Sequence, residues 1–404
     1  MKFRSRAGNA YRKPYVNSWC APFHDLWYWN IPCPVPFISR ACFPLLRNDI
    51  IDRFWRFSYA AAPGLFLLAI VQYSLSVEPN LHPFEPHALL KNRHAMTIAS
   101  AFVPRKFALP PAEARLFQVD PDSRLLGHCH WQPGKSKAVP VVIIVHGLEG
   151  SSDSNYVLGI ADKAFQRGFH AVRLNQRNCG GTEALSPTLY NSGMSADYRA
   201  VFEELSNGDG FEQIFFAGYS MGGNLVTKMA GEFGAMVPRA LRGAGVVCPA
   251  IDLGASADAL NRAENYLYQK HFVSGLMSRY ARKQKLFPDR YPQNGLRPVR
   301  TVREFDDVIT APQFGYRDAQ DYYDHVGAKR VAANVRLPLL MITAQDDPFV
   351  TYASFQAARI SDNPAIRFVA TTHGGHCAFI SKHSGPERFW AEQRLVEFFE
   401  AHRG

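Results

Sequence analysis

The apolar residues of this chain gather in short solid runs, separated by longer stretches where apolar and polar residues recur at helical spacing. VVIIV at 141–145, QIFFA at 213–217, RLPLLMIT at 336–343 and AIRFVA at 365–370 each read as a buried strand. NLVTKMAGEF at 224–233 reads as a helix. The alternation of such segments from about residue 139 to 402 predicts an α/β fold, a mostly parallel sheet with helices on both faces. Between about 252 and 336 the pattern changes. Residues 261–285 are aromatic and basic, and Pro288, Pro292 and Pro298 punctuate the stretch that follows. Lying between two core strands, this insertion reads as a helical lid over the strand ends. Plain helices on the sheet flank are the alternative, and both can hold.

Candidate chemistry sits where those strands end. GYSMG at 218–222 joins the strand at 213–217 to the helix at 224–233, so Ser220 stands on a strand–turn–helix corner. Such a corner strains the backbone and pushes the hydroxyl out of the sheet. It also brings the residues two positions either side close together, and Gly218 and Gly222 have no Cβ to collide there. The five-residue pattern alone is common, and its flanking strand and helix make it informative.

An activated serine needs a base, and the base needs an orienting carboxylate. The strand at 336–343 runs into AQDDP at 344–348, and the last strand runs into TTHGGH at 371–376. Asp347 precedes a proline that fixes the turn and is favoured over Asp346, whose bland role would be to cap the following turn. His376 follows the glycine pair and is favoured over His373, which reads as a loop histidine bonded to backbone. All three groups fall at the carboxyl ends of strands, where open α/β sheets place their sites. An oxyanion would need two backbone N–H donors. Met221, directly after the serine, is one candidate, and Leu148 in HGLEGSS at 146–152 is the other. His146 reads as a structural hydrogen-bonding residue. The pattern is that of a serine hydrolase.

Four segments also carry a family resemblance: HGLEGSS at 146–152, GYSMGGN at 218–224, REFDDVITAPQFGYRDAQDYY at 303–323, and DDPF at 346–349 with HGGH at 373–376. On these the chain resembles the α/β-hydrolase superfamily. Within it, the chain is similar to bacterial YheT-like proteins and eukaryotic abhydrolase-domain 1 and 3 proteins. The long segment at 303–323 discriminates, since the serine corner occurs across the superfamily. NQRNCGG at 175–181 is similar to the family's N-x-R-G-C-G-G loop, with Asn178 in place of a glycine. The resemblance covers roughly residues 88–402 and implies a triad of Ser220, Asp347 and His376 in an esterase of carboxylic esters. Short- to medium-chain acyl or lipid esters are the expected substrates, phospholipase or acyltransferase chemistry is the alternative, and a non-catalytic binding protein on the same fold is a further one.

Composition adds bounds. A chain of 404 residues with 47% hydrophobic content can bury one large core. The formal net charge of +10 comes from scattered residues without a nucleic-acid recognition motif, so nucleic acid is not an expected partner. Lys270, Arg279, Arg282, Lys283 and Lys285, beside Tyr266, Phe272 and Leu276, suggest anionic lipid headgroups instead, although a solvated helix face is the commoner meaning of such a run. Cys20, Cys33, Cys42, Cys129, Cys179, Cys248 and Cys377 give an odd count without tight spacing, and read as reduced thiols. His128-Cys129-His130 looks like a metal cluster, but neighbours on a strand point to opposite faces. Without an H-E-x-x-H, Walker or dinucleotide pattern, neither metal nor nucleotide cofactor is indicated. Residues 1–85 form an extension before a catalytic domain at 86–404. Within it, 57–75 is a run without charge, close to the ~20 residues that span a bilayer. Arg53 and Arg56 precede that run, as before an anchor, while Pro63, Gly64 and Gln72 dilute it. Membrane association through this segment is the expectation, and a helix packed on the hydrolase domain is the alternative.

Overall fold

The protein is described here by a computed structural model, which covers residues 81–291 and 298–404. The segment at 57–75 lies outside the described residues. Eight strands build one sheet: β1 (Glu113–Asp120), β2 (Ser123–His130), β3 (Val141–Val145), β4 (His170–Leu174), β5 (Ile214–Tyr219), β6 (Leu241–Val247), β7 (Leu339–Ala344) and β8 (Ile366–Thr371). Their order is β1-β2-β4-β3-β5-β6-β7-β8. β1 and β2 form an antiparallel hairpin that runs antiparallel to β4, and every pairing from β4 to β8 is parallel.

Among the described residues, eight longer helices accompany the sheet: α1 (Arg93–Phe102), α2 (Asn155–Gln166), α3 (Ser195–Glu203), α4 (Met221–Phe233), α5 (Leu253–Leu260), α6 (Tyr266–Leu286), α7 (Ala319–Val326) and α8 (Trp390–His402). The five β3 residues are wholly buried because both faces of that strand are covered. Val142 and Ile144 pack with α2 and α8, whereas Val141, Ile143 and Val145 pack with α3 and α4. Each such side chain contributes about 1.5–3 kcal/mol when buried. The solid apolar runs in the sequence are therefore the signature of a two-sided sheet.

Strand order also locates the crevice. From β3 the chain crosses to β4 on one side and returns to β5 on the other, so the direction of winding reverses between β3 and β5. Ligands of open α/β sheets bind outside the strand ends at such a reversal. Val145 pairs with Gly218 at this point, which sets the 146–152 loop beside Ser220. The segment between β6 and β7 carries α5, α6 and α7 and forms the helical insertion expected over the strand ends.

Two smaller expectations resolve here. Helix α4 begins at Met221, three residues before the periodic pattern, because Gly222 and Gly223 are helical despite their low propensity. In β2, Cys129 faces the core with Phe117, while His130 bonds Pro110 O and accepts from Arg173 Nε. The two side chains thus lie on opposite faces and do not converge on an ion.

Candidate active site

Ser220 is the residue before α4 and has φ 53° and ψ −118°, a conformation that costs a non-glycine residue about 1–3 kcal/mol. The surrounding backbone holds it there. Its N–H donates to Val247 O at 2.9 Å, and its carbonyl accepts from Asn224 N at 3.0 Å and Ala250 N at 3.2 Å. The two flanking glycines are needed for close approach. A Cβ on Gly218 would lie 2.6 Å from Gly222 O, and one on Gly222 would lie 2.4 Å from both Val145 O and His146 O. Larger residues would pry the corner off β3.

The structure brings Ser220, Asp347 and His376 together. Ser220 Oγ donates to His376 Nε2 at 2.9 Å, and His376 Nδ1 donates to Asp347 Oδ2 at 2.8 Å. Asp347 Oδ1 accepts the amides of Phe349 and Val350 at 3.0 and 2.9 Å, so this carboxylate is fixed from behind. The Asp347 side chain is fully buried and that of His376 nearly so. Burial pushes the imidazole pKa down, but the charges of Asp347 and Cys377 and the hydrogen bonds to them together outweigh it and hold the ring above the ordinary histidine range. Phe349 covers the ring at 4.0 Å between centroids.

Asp346 and His373 form a separate pair. Asp346 Oδ1 accepts Gly375 N at 2.9 Å, and its Oδ2 lies 3.4 Å from His373 Nδ1. The turn-capping role expected of Asp346 thus belongs to Asp347, and Asp346 reaches across to brace the histidine loop. A second brace comes from α1, where Thr97 Oγ1 accepts His376 N at 2.9 Å. Nothing local in the sequence marks Thr97, since its partner lies far along the chain.

Loop 146–152 is held by tyrosines. Gly147 N donates to Tyr156 OH at 2.9 Å, Glu149 N to Tyr190 OH at 3.2 Å, and Gly150 N to Gly147 O at 3.1 Å. Among the described residues, the Leu148 amide between them has no such acceptor. Met221 supplies the first amide of α4, which lacks an intrahelical partner. Both expected donors therefore have N–H groups to offer beside Ser220. His146 is buried, bonds Gly147 O through Nδ1 and accepts Gln176 N on Nε2; burial lowers its pKa to about 4, so it stays neutral. In the neighbouring loop Asn178 has φ 63°, a left-handed conformation that asparagine tolerates and glycine favours.

Two cavities meet at Ser220. One, of about 90 Å³, lies under the insertion against Leu253, Leu260, Phe272, Leu276 and Phe305. Asp306 stands in its wall, bonded by Tyr323 OH at 2.7 Å, and burial raises its pKa to about 6. The other, of about 520 Å³, opens between α1 and α6 beside Ile98, Phe102, Leu267, Tyr268 and His376.

The expectation that this basic set meets anionic lipid headgroups needs correction. Arg279 is buried and pairs with Glu149 at 3.1 Å, and Lys283 is buried and donates to Glu183 O at 3.0 Å and to Ser186 O. Arg282 bonds Glu183 Oε1 at 2.6 Å. These three tie α6 to the loops below it; Arg279 and Lys283 are buried, whereas Arg282, Lys270 and Lys285 remain exposed.

The family model described as the alpha/beta hydrolase fold matches residues 140–383. The chain belongs to the α/β-hydrolase family. YheT of Escherichia coli (strain K12) is 30% identical over 317 residues, covering 78% of this chain and 92% of that protein. Phospholipase ABHD3 of Mus musculus is 27% identical over 255 residues, covering 63% of this chain and 60% of that protein. Monoacylglycerol lipase of Saccharomyces cerevisiae is 29% identical over 272 residues, covering 65% and 59% respectively. Esterase- and lipase-named proteins are thus among the relatives of this hydrolase-fold chain.

Proposed function

We propose that the protein is a serine hydrolase of carboxylic esters that works through an acyl-enzyme. The observation that carries this reading is the unbroken hydrogen-bond chain from Ser220 Oγ through His376 to buried Asp347, set on a backbone held at positive φ. His376 Nε2 takes the hydroxyl proton as Ser220 Oγ attacks the ester carbonyl. The carbonyl oxygen becomes an oxyanion that accepts the amides of Leu148 and Met221. Collapse expels the alcohol, which receives its proton from His376. Water then repeats the cycle on the acyl-serine. Asp347 fixes the imidazole tautomer and stabilises the imidazolium.

The two cavities support a reading of the substrate class. The smaller, apolar one under the insertion suits a short to medium acyl chain. The larger one suits the alcohol portion and leads to solvent. At its mouth Ile98, Phe102 and Leu267 are exposed by 42%, 78% and 70%, with Tyr266 (63%) beside them. Arg93–Glu264 (2.8 Å) and His94–Tyr268 (3.3 Å) clamp α1 to α6 and the turn that precedes it, so that these groups share one rim. An apolar rim around a catalytic mouth fits a substrate delivered from a lipid surface. Lipid esters are therefore the proposed natural substrates, with the protein associated with membranes through that rim and the segment at 57–75. Among the described residues no helix is long and apolar enough to cross a membrane.

Hydrolysis of p-nitrophenyl esters of graded acyl length, of monoacylglycerol and of phosphatidylcholine by wild type and Ser220→Ala tests the reading. Turnover that peaks at short to medium chains and vanishes in Ser220→Ala is expected. Phospholipid turnover exceeding that of simple esters would reassign the enzyme as a phospholipase. Wild-type rates equal to those of Ser220→Ala on every substrate would leave a binding protein.

A further inference from the structure

Cys248 follows β6 and Cys377 follows His376, and the hydrolytic chemistry uses neither thiol. Among the described residues, Cys248 Sγ, Cys377 Sγ and a ring nitrogen of His376 all lie within 4.8 Å of one another. Cys377 Sγ is 3.7 Å from His376 Nε2. Ligands of a tetrahedral zinc ion, with bonds of about 2.3 Å to sulfur and 2.0–2.1 Å to nitrogen, sit about 3.6 Å apart. The three atoms therefore need to contract by about 1.2 Å at most to hold such an ion.

The arrangement is built rather than incidental. Cys377 N donates to Cys248 Sγ at 3.4 Å, and the Cys377 thiol donates to Val247 O at 3.5 Å. Cys248 and Cys377 have φ of 45° and 59°, the left-handed region that non-glycine residues enter when their surroundings hold them there. Cys248 is fully buried, and Cys377 lines the larger cavity, which gives an ion a path from solvent. Thiolate and imidazole ligands together select zinc over hard cations such as magnesium.

We propose that Cys248, Cys377 and His376 form an inhibitory zinc site. Two zinc–sulfur bonds and one zinc–nitrogen bond form, the two thiol protons pass to solvent, and water fills the fourth position. The ion takes the Nε2 lone pair, so Ser220 Oγ loses its proton acceptor. The inhibitory consequence rests on the reading of His376 as the general base; the binding geometry does not.

The test uses the full chain, treated first with a chelator and a thiol reductant. Micromolar zinc chloride should lower ester hydrolysis at least tenfold, equal magnesium should not, and a chelator should restore the rate. In Cys248→Ala and Cys377→Ala, each compared with its own zinc-free rate, half-inhibition should need at least tenfold more zinc. Cobalt(II) added to Ser220→Ala should give a thiolate-to-metal absorption band that is lost in either cysteine variant. That band appearing in a protein without esterase activity would leave the site standing and remove the hydrolase reading. Absence of the band, or undiminished zinc sensitivity in both cysteine variants, overturns the proposal.

Discussion

Removing the Arg279 side chain should damage both the stability and the chemistry of the protein, because its partner sits next to a proposed oxyanion donor. Arg279 Nε and Nη2 lie 3.3 and 3.1 Å from the Glu149 carboxylate, and Nη1 donates to Asn178 O. The two side chains are only 6% and 8% exposed, so solvent screening of the pair is slight. Arg279→Ala leaves the Glu149 charge buried with Tyr190 OH, at 2.7 Å, as its remaining side-chain partner. Breaking a buried pair from one side costs about 3–5 kcal/mol. For a domain of about 320 residues that lowers Tm by roughly 4–8 °C. Since Glu149 follows Leu148, the loop that presents the Leu148 amide should loosen, lowering kcat more than it raises KM. Thermal unfolding by circular dichroism and steady-state hydrolysis of a soluble ester read the two effects. Arg279→Met with Glu149→Gln should recover most of the lost Tm, since it removes both charges. A fall in Tm of under 2 °C for Arg279→Ala, with kcat intact, would refute the reasoning.

Three further outcomes follow from the site. His376 acts only when neutral, and its pKa is held above the ordinary 6.5, so the acid limb of kcat/KM should have its midpoint above pH 6.5 and activity should rise as pH rises through it; a midpoint at or below 6.5 in a pH–rate profile would contradict the Asp347 effect. Asp347→Asn should lower kcat by roughly 10³–10⁴-fold, whereas Asp346→Asn, which keeps an acceptor for Gly375 N and loses only the charge beside His373, should lower it by roughly tenfold or less; the reverse order in side-by-side kinetics would move the acid by one residue. Thr97→Val removes the acceptor of His376 N, a loss worth about 1 kcal/mol, and should reduce kcat about fivefold without a shift in the pH profile.

Much of this arrangement was legible in the sequence because its signals are local. VVIIV at 141–145 coincides with β3, and the runs placed at 213–217, 336–343 and 365–370 overlap β5, β7 and β8 with shifted ends. Loop ends then carry Ser220, Asp347 and His376 to one place, since β5, β6, β7 and β8 are successive neighbours. What stayed hidden depends on contacts between distant segments. A basic residue on α6 looks the same whether it meets water or a carboxylate 130 positions away, so Arg279 read as part of a charged rim. The β1–β2 hairpin carries mixed exposure and lacks a solid apolar run, and α1 gives no hint that Thr97 will meet His376. Asp346 and Asp347 are adjacent acids whose roles separate only once β7 and β8 are paired and the loop after β8 has a position.

The central claim is that Ser220 is the nucleophile made reactive by His376 and Asp347. Treatment of the full chain with a fluorophosphonate probe, followed by digestion and mass spectrometry, addresses it directly. One phosphonylated peptide carrying the adduct on Ser220 is expected, formed orders of magnitude more slowly in His376→Ala and absent in Ser220→Ala. An adduct on any other residue while Ser220 remains free, or equal labelling of wild type and His376→Ala, would contradict it.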